Sequence, residues 1–290
     1  MMENVILEYI TYLRQVKKMA YNTEISYKRD LLKMSAYLKD KGIVELKDIT
    51  ETALNSYVLE LEGNGMSPAT ISRNIASMKA FFIYCMKHDL VDKDPAENLK
   101  APKIDKKNPK VLSPSEMEML LKQPRLENPK GLRDKAMLEL LYSTGMRVSE
   151  LVNLKVDDVN MEVGYVTCHD AGRERTISFN DRTKKALEMY LADSRDHMTR
   201  SKDIQFLFTN CAGDSMSRQG FWKLIKYYAG RARIDGDITP HTLRHTFAAH
   251  MVDEGRDLHD VQMMLGHSDI STTQMYVRMK KQQDVDGADE

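Results

Sequence analysis

Arginine, histidine and tyrosine recur in this chain at spacings that give them chemical reach. In "TGMRVSEL", Arg147 stands just past Gly145, the glycine that closes a helix, so its side chain projects from a tight turn. Glu150, three residues on, is placed to orient that guanidinium. In "HTLRHTFAAH", His241 and Arg244 are three apart at a helix start and share one face. With the backbone N–H groups of the first turn they form an anion site. In "LGHSDISTTQMY", Gly266 ends a helix, His267 follows in the turn, and Tyr276 falls on the next helix. Each stretch alone also admits a structural role: an arginine–glutamate pair at a helix end, or a tyrosine buried beside Met275 and Val277. The neighbours His245 and His250 are assigned to packing or solvent.

Two kinds of architecture must position these groups. The first hundred residues read as four helices with short connections, a small bundle. "NVILEYITYLRQV" places Val5, Tyr9, Tyr12, Leu13 and Val16 on one face. The second helix takes Asn22 or Thr23 as its cap and closes at Gly42; the third runs from Glu51 to Glu62. The fourth opens with Ser67 as cap and Pro68 at the first position, where a missing N–H is no loss. "DKDPAENLKAPKIDKKNPKVLSPSE" holds four prolines and little apolar periodicity, and reads as a linker. The domains expected are 1–100, helical; 101–111, linker; and 112–290, mixed.

Ser113 and Glu116 open the second half with a new helix, and "LRDKAMLELLYSTG" reads as an amphipathic helix stopped by Gly145. "GYVTCHDAGRERTISF" reads as a β-hairpin around Gly172, and "IQFLFT" as a short strand. Helices follow over "RQGFWKLIKYYAGRA", "HTLRHTFAAHMVDEG" and "DLHDVQMMLG". Ser271 and Gln274 stand in capping-box spacing at the start of the last one. The fold class expected is mainly α with a small β-sheet.

Composition narrows the setting. The 290 residues suffice for two buried cores, and 42% hydrophobic with 30% charged residues is ordinary for a soluble protein. Glu3 and Glu8 interrupt the N-terminal apolar residues, so no signal peptide is expected, and no apolar run reaches membrane-spanning length. Cys85, Cys168 and Cys211 are far apart with no CxxC pair, which suggests reduced thiols, a cytoplasmic location and no zinc site. Forty-three basic residues balance 43 acidic ones. That neutrality argues mildly against a nucleic-acid partner. Residues 1–112 nevertheless carry 18 basic and 15 acidic side chains, with six lysines between Lys93 and Lys110.

The order Arg147, His241-x-x-Arg244, Gly266-His267, then Tyr276 resembles the tyrosine recombinase (phage-type integrase) family, and within it the Xer-like bacterial enzymes. "NTEISYKRDLLKMSAYL" and "SPATISRNIASMKAFFIYC" are similar to that family's helical core-binding (SAM-like) domain. "GLRDKAMLELLYSTGMRVSEL" and "ITPHTLRHTFAAHMVDEGRDLHDVQMMLGHSDISTTQMYVR" are similar to its catalytic α+β domain. The resemblance extends over nearly the whole chain. It implies a site-specific recombinase that cuts and rejoins double-stranded DNA through a covalent 3′-phosphotyrosyl bond.

The implied roles suit the residue types. A phenol with a pKa of about 10 is scarcely ionised at neutral pH and needs help to attack a phosphodiester. Arg147 and Arg244 would be the planar, permanently charged clamp on the non-bridging oxygens. His241 and His267 would donate hydrogen bonds or move protons, with His241 the general base, and Tyr276 would be the nucleophile. The phosphotyrosyl bond conserves the free energy of the broken one, so no cofactor, nucleotide or metal is expected.

One position departs from the family pattern. The hairpin lysine that members usually carry aligns with Asp170, which can neither attract phosphate nor supply a proton. Arg173 and Lys155 are the nearby cations, and the general acid stays unassigned. Family precedent implies four protomers on two duplexes, as a homo- or hetero-tetramer exchanging the tail after Tyr276, whose "VRMKK" docks and whose "DVDGADE" is disordered. No membrane partner is expected. The alternative readings are a DNA-binding protein of recombinase fold with weak or partner-dependent catalysis, and a type IB topoisomerase.

Overall fold

Helix ends explain much of the first half. In the computed structural model, which describes residues 2–104, 108–170, 173–199, 204–267 and 269–286, the chain divides into two compact units, Met1–Lys107 and Asn108–Glu290. The first holds α1 (Met2–Gln15), α2 (Tyr21–Asp40), α3 (Glu51–Gly63) and α4 (Pro68–Lys87). Thr50 caps α3 and Ser67 caps α4, each side chain accepting a backbone N–H three residues on, and Pro68 takes the first helical position. Helix α2 differs from expectation. It starts at Tyr21 behind Ala20 with no side-chain cap, so Asn22 and Thr23 already lie inside its first turn.

The buried stripe of α1 is also rotated from the expected face. It runs Met2, Ile6, Tyr9, Ile10 and Leu13, a three-and-four spacing that starts at Met2. Val16 lies beyond the last helical residue and is 63% exposed. Phe81, Phe82 and Met78 of α4 meet Leu31 and Met34 of α2 in the same core. Arg73 locks α2 to α4 by donating two hydrogen bonds, at 2.8 and 3.0 Å, to the buried Asp30 carboxylate.

The second unit contains α5 (Pro114–Leu121), α6 (Pro129–Thr144), α7 (Val148–Asn153), α8 (Asp181–Asp193), α9 (Arg195–Thr199), α10 (Arg218–Arg231), α11 (Pro240–Asp253), α12 (Leu258–Leu265) and α13 (Ser271–Asp286). Ser113 and Glu116 form a reciprocal capping box at α5. Strands β1 (Val159–Asn160), β2 (Tyr165–Asp170) and β3 (Arg173–Ser178) form one antiparallel sheet in that order. The β2–β3 register pairs Cys168 with Arg175 and Asp170 with Arg173.

Several expectations for this half are corrected. Helix α6 is not amphipathic: it is buried on nearly every side, including Arg133 and Asp134, whose charges pair with each other at 2.6 Å. Tyr228 adds a hydrogen bond to Asp134 at 2.8 Å. "IQFLFT" is not a strand. Its backbone groups answer to separate partners, Phe206 bridging Lys155 and Thr209 bridging Ser215, so no ladder propagates. At the start of α13 the carboxylate of Asp269 accepts the Ser271 N–H at 2.9 Å, which places Ser271 inside the helix, not at its cap. Helix α13 continues through Asp284 to Asp286, into the segment expected to be disordered.

Helices α11, α12 and α13 share a small core of Phe247, Ala248, Val261, Leu265 and Tyr276 beside the larger one that fills the rest of the unit. Cys85 and Cys168 are buried and Cys211 is exposed. Among the described residues, no helix is long and apolar enough to cross a membrane.

Candidate active site

Two glycines bring distant segments together. Gly145 ends α6 with φ +59° and Gly266 ends α12 with φ +62°. A Cβ on Gly145 would lie 2.2 Å from the Phe247 ring, so both its conformation and its contact demand glycine. The carbonyls around these two turns then collect guanidinium groups. Arg244 donates to the Gly145 carbonyl and to the Leu265 carbonyl, both at 2.6 Å. Arg147 donates to the next carbonyl, Gly266, at 3.0 Å. The two arginines expected to clamp phosphate thus hang from adjacent carbonyls at the C-terminus of α12, where the helix leaves acceptors unfilled.

A buried carboxylate supports the arrangement. Glu150 Oε2 accepts the backbone N–H of Arg147 at 2.6 Å, while its Oε1 stands 3.5 Å from the Arg147 guanidinium. Arg175 on β3 grips both oxygens, at 2.5 and 2.8 Å, and donates its Nε–H to the Met264 carbonyl at 2.8 Å. Burial alone would raise the Glu150 pKa. The hydrogen bonds from Arg175 and from the Arg147 backbone, together with both guanidinium charges, override it and hold the group below the usual carboxylate range. Sequence reasoning missed Arg175, although its alternation with the buried Ile177 on β3 already placed it on the inner face of the hairpin.

Asp170 takes the outer side of Arg147. Its carboxylate accepts from Nη1 at 2.7 Å, so the residue expected to align with a hairpin lysine pairs instead with one of the two arginines expected to clamp phosphate. Arg173 has its side chain outside the described residues. Lys155 stands exposed ahead of the short 3₁₀ turn Val156–Asp158, capped there by Asp158.

Arg244 has no such partner. It is 7% exposed, both its hydrogen bonds go to carbonyls, and no described carboxylate forms an ion pair with it. Burial first, and then the Arg147 charge, push its pKa down to about 10. It remains cationic at neutral pH, and a buried cation of this kind favours an incoming anion.

The histidines and the tyrosine complete the cluster. His267 follows Gly266 and its Nδ1 lies 3.0 Å from the Thr273 hydroxyl. Burial, then Arg244 and Arg147, lower its pKa to about 4, so the ring is neutral. Tyr276 is 2% exposed, and burial, partly offset by Arg244, raises its phenol to about 12. Its hydroxyl lies 2.6 Å from Nδ1 of His245, a residue assigned above to packing or solvent. His250, the other, does pack: its ring nitrogens meet the Tyr142 hydroxyl at 2.8 Å and the Leu112 carbonyl at 2.9 Å. No spacing in the sequence marked His245 as the phenol's partner.

His241 stands exposed on the first turn of α11. That turn offers fewer free N–H groups than expected. Pro240 has none, and the Thr242 N–H goes to the Thr239 side chain at 3.2 Å.

Comparison with known proteins shows the family. The phage integrase family matches residues 110–283, and the phage integrase N-terminal SAM-like domain matches residues 6–89. The chain is 40% identical over 283 residues to tyrosine recombinase XerD of Staphylococcus haemolyticus, covering 97% of this chain and 96% of that one. It is 40% identical to tyrosine recombinase XerD of Oceanobacillus iheyensis, covering 97% and 95%. Among solved structures, the XerH site-specific recombinase bound to a palindromic difH substrate in a post-cleavage complex superposes with a TM-score of 0.76. It shares 24% identity, over 91% of this chain and 78% of that one. The chain belongs to the phage integrase family. It is a site-specific recombinase of the tyrosine type, and relatives about 40% identical to it carry the XerD name.

Proposed function

We propose that this recombinase binds double-stranded DNA and cuts and rejoins it through a 3′-phosphotyrosyl bond formed by Tyr276. The observation that carries the reading is the convergence of Arg147 and Arg244 on adjacent carbonyls beside His267, with Arg244 buried and lacking a carboxylate partner among the described residues. A phosphodiester supplies the missing anion. The two guanidinium groups would bind its non-bridging oxygens and stabilise the charge that builds as the phenolic oxygen attacks. Tyr276 Oη forms the bond to phosphorus, the 5′-oxygen leaves, and the reverse attack restores the strand. His267, neutral, donates a ring N–H to the phosphate. His241, at the solvent-facing start of α11, shares that contact or takes the phenol's proton. The leaving 5′-oxygen takes its proton from water or from a donor outside these five residues.

The first unit, with the bundle 1–100, is assigned to DNA binding, 101–111 to the linker and 112–290 to catalysis. Assembly as a tetramer on two duplexes, linked by the segment after Tyr276, completes the proposal. The DNA-bound state of the similar XerH structure supports a DNA partner. The test is a duplex nicked near the cleavage position, so that the cut strand diffuses away and the enzyme is trapped. A covalent adduct mapping to Tyr276 and forming in EDTA is expected. Adduct at another residue, or strict dependence on magnesium, would refute the mechanism.

A further inference from the structure

We propose that His245 is a positioning residue for Tyr276, holding the phenolic oxygen beside the arginine cluster through an O–H···Nδ1 hydrogen bond. Its catalytic consequence rests on the reading above; the contact itself does not. His245 follows Arg244 directly on α11, so the helix that supplies the buried guanidinium also supplies the phenol's acceptor. The separation is 2.6 Å, while the two ring centroids are 5.8 Å apart with planes at 51°, so the pair is joined through its polar atoms and not by stacking.

The direction of the bond follows from the surroundings. Burial, then His241 and Arg244, push the His245 imidazole down to about 4. Burial raises the phenol to about 12. At neutral pH the proton therefore stays on the tyrosine and the imidazole accepts. Donating that hydrogen fixes the C–O–H rotor and leaves the oxygen lone pairs free for an electrophile.

The hydrogen bond also complements the tether from Thr273 to His267, so the first turns of α13 are held at two polar points, three residues apart on one face. Both points are ring nitrogens of neutral histidines, and both lie beside Arg244. A phenol held this way pays little entropy on reaching the phosphate, which is the usual benefit of fixing a nucleophile.

The test uses the full chain with three substitutions. His245→Asn keeps an acceptor near the Nδ1 position, His245→Phe keeps bulk without an acceptor, and His245→Ala removes both. On the nicked duplex, H245F and H245A should form adduct about 10- to 100-fold more slowly with DNA affinity unchanged, and H245N should stay within about threefold of wild type. H245F as fast as wild type would overturn the proposal. So would H245N as slow as H245F, which would make His245 a proton acceptor or a packing group. If the wild-type chain forms no adduct, the recombination chemistry fails and the contact is judged alone, by 3-fluorotyrosine at position 276. Its ¹⁹F resonance should move toward the unfolded-chain value in H245A and hold in H245N; no movement in H245A dismisses the contact.

Discussion

At the scale of single residues, charge balance around Arg147 and Arg244 decides what the site can do. Arg244 contributes a permanent fork that two carbonyls hold in place, and a lysine could not reproduce both bonds. Arg244→Lys should slow adduct formation by about 100- to 1,000-fold with much smaller loss of DNA affinity, as measured by gel shift beside the nicked-duplex assay. Asp170 acts in the opposite sense. While it holds Arg147 at 2.7 Å, an arriving phosphate must compete with it for the guanidinium. Asp170→Lys should cleave faster than wild type, because it removes that competitor and supplies a proton donor at the same place. An unchanged rate would show that the hairpin lysine of the family aligns elsewhere.

Arg147, His241, Arg244, His267 and Tyr276 are picked out in the sequence by their joint order, which resembles the tyrosine recombinase pattern; each stretch alone admits a structural role. Arg175 has only its place on the inner face of the hairpin to mark it, and His245 has nothing. Their relevance comes from what they touch, Glu150 and the Tyr276 hydroxyl, which lie 25 and 31 positions away along the chain. Spacing within one helix or hairpin carries no record of such pairings.

Elements set how firmly these groups are held. The turn after α6 depends on Gly145, where a methyl group meets Phe247 and the left-handed conformation penalises any L side chain. Gly145→Ala should cost about 2 kcal/mol of stability or more, read as a lower Tm by calorimetry. The segment from α11 to α13 also carries two half-buried neutral imidazoles, His245 and His267, each lowered to about 4 from an ordinary 6.5, mainly by burial. Between those values the unfolded chain binds more protons than the folded one. The stability lost through these two residues should be nil above about pH 6.5, grow as pH drops and reach its limit below about 4. His267→Asn should flatten that slope; an unaltered slope in Tm against pH would contradict the assignment.

Helix boundaries marked by Ser67-Pro68, Ser113 and the terminal glycines were legible because capping chemistry is local. The face of α1 and the burial of α6 were not. Both depend on what packs against the helix, and the Arg133–Asp134 pair inside α6 imitates a solvated face in the sequence. "IQFLFT" has strand-like residues but lacks a continuous partner, and only tertiary pairing reveals that.

For the whole molecule, net neutrality proved a poor guide. Forty-three charges of each sign leave the total at zero, yet the site gathers Arg147, Arg175 and Arg244 against Glu150 and Asp170. Local surplus, not the sum, prepares a place for phosphate. Assembly is tested by cutting the chain after Tyr276. The shortened protein should still bind one duplex but lose cooperative synapsis of two, seen as loss of the slow-migrating paired complex in native gels. Intact synapsis would place the subunit contact elsewhere.

The shared anchorage at Leu265 and Gly266 has a mechanical result. Because one short turn holds both guanidinium forks, a small rotation of α12 would displace Arg147 and Arg244 together, and with them the paired charge proposed to receive phosphate.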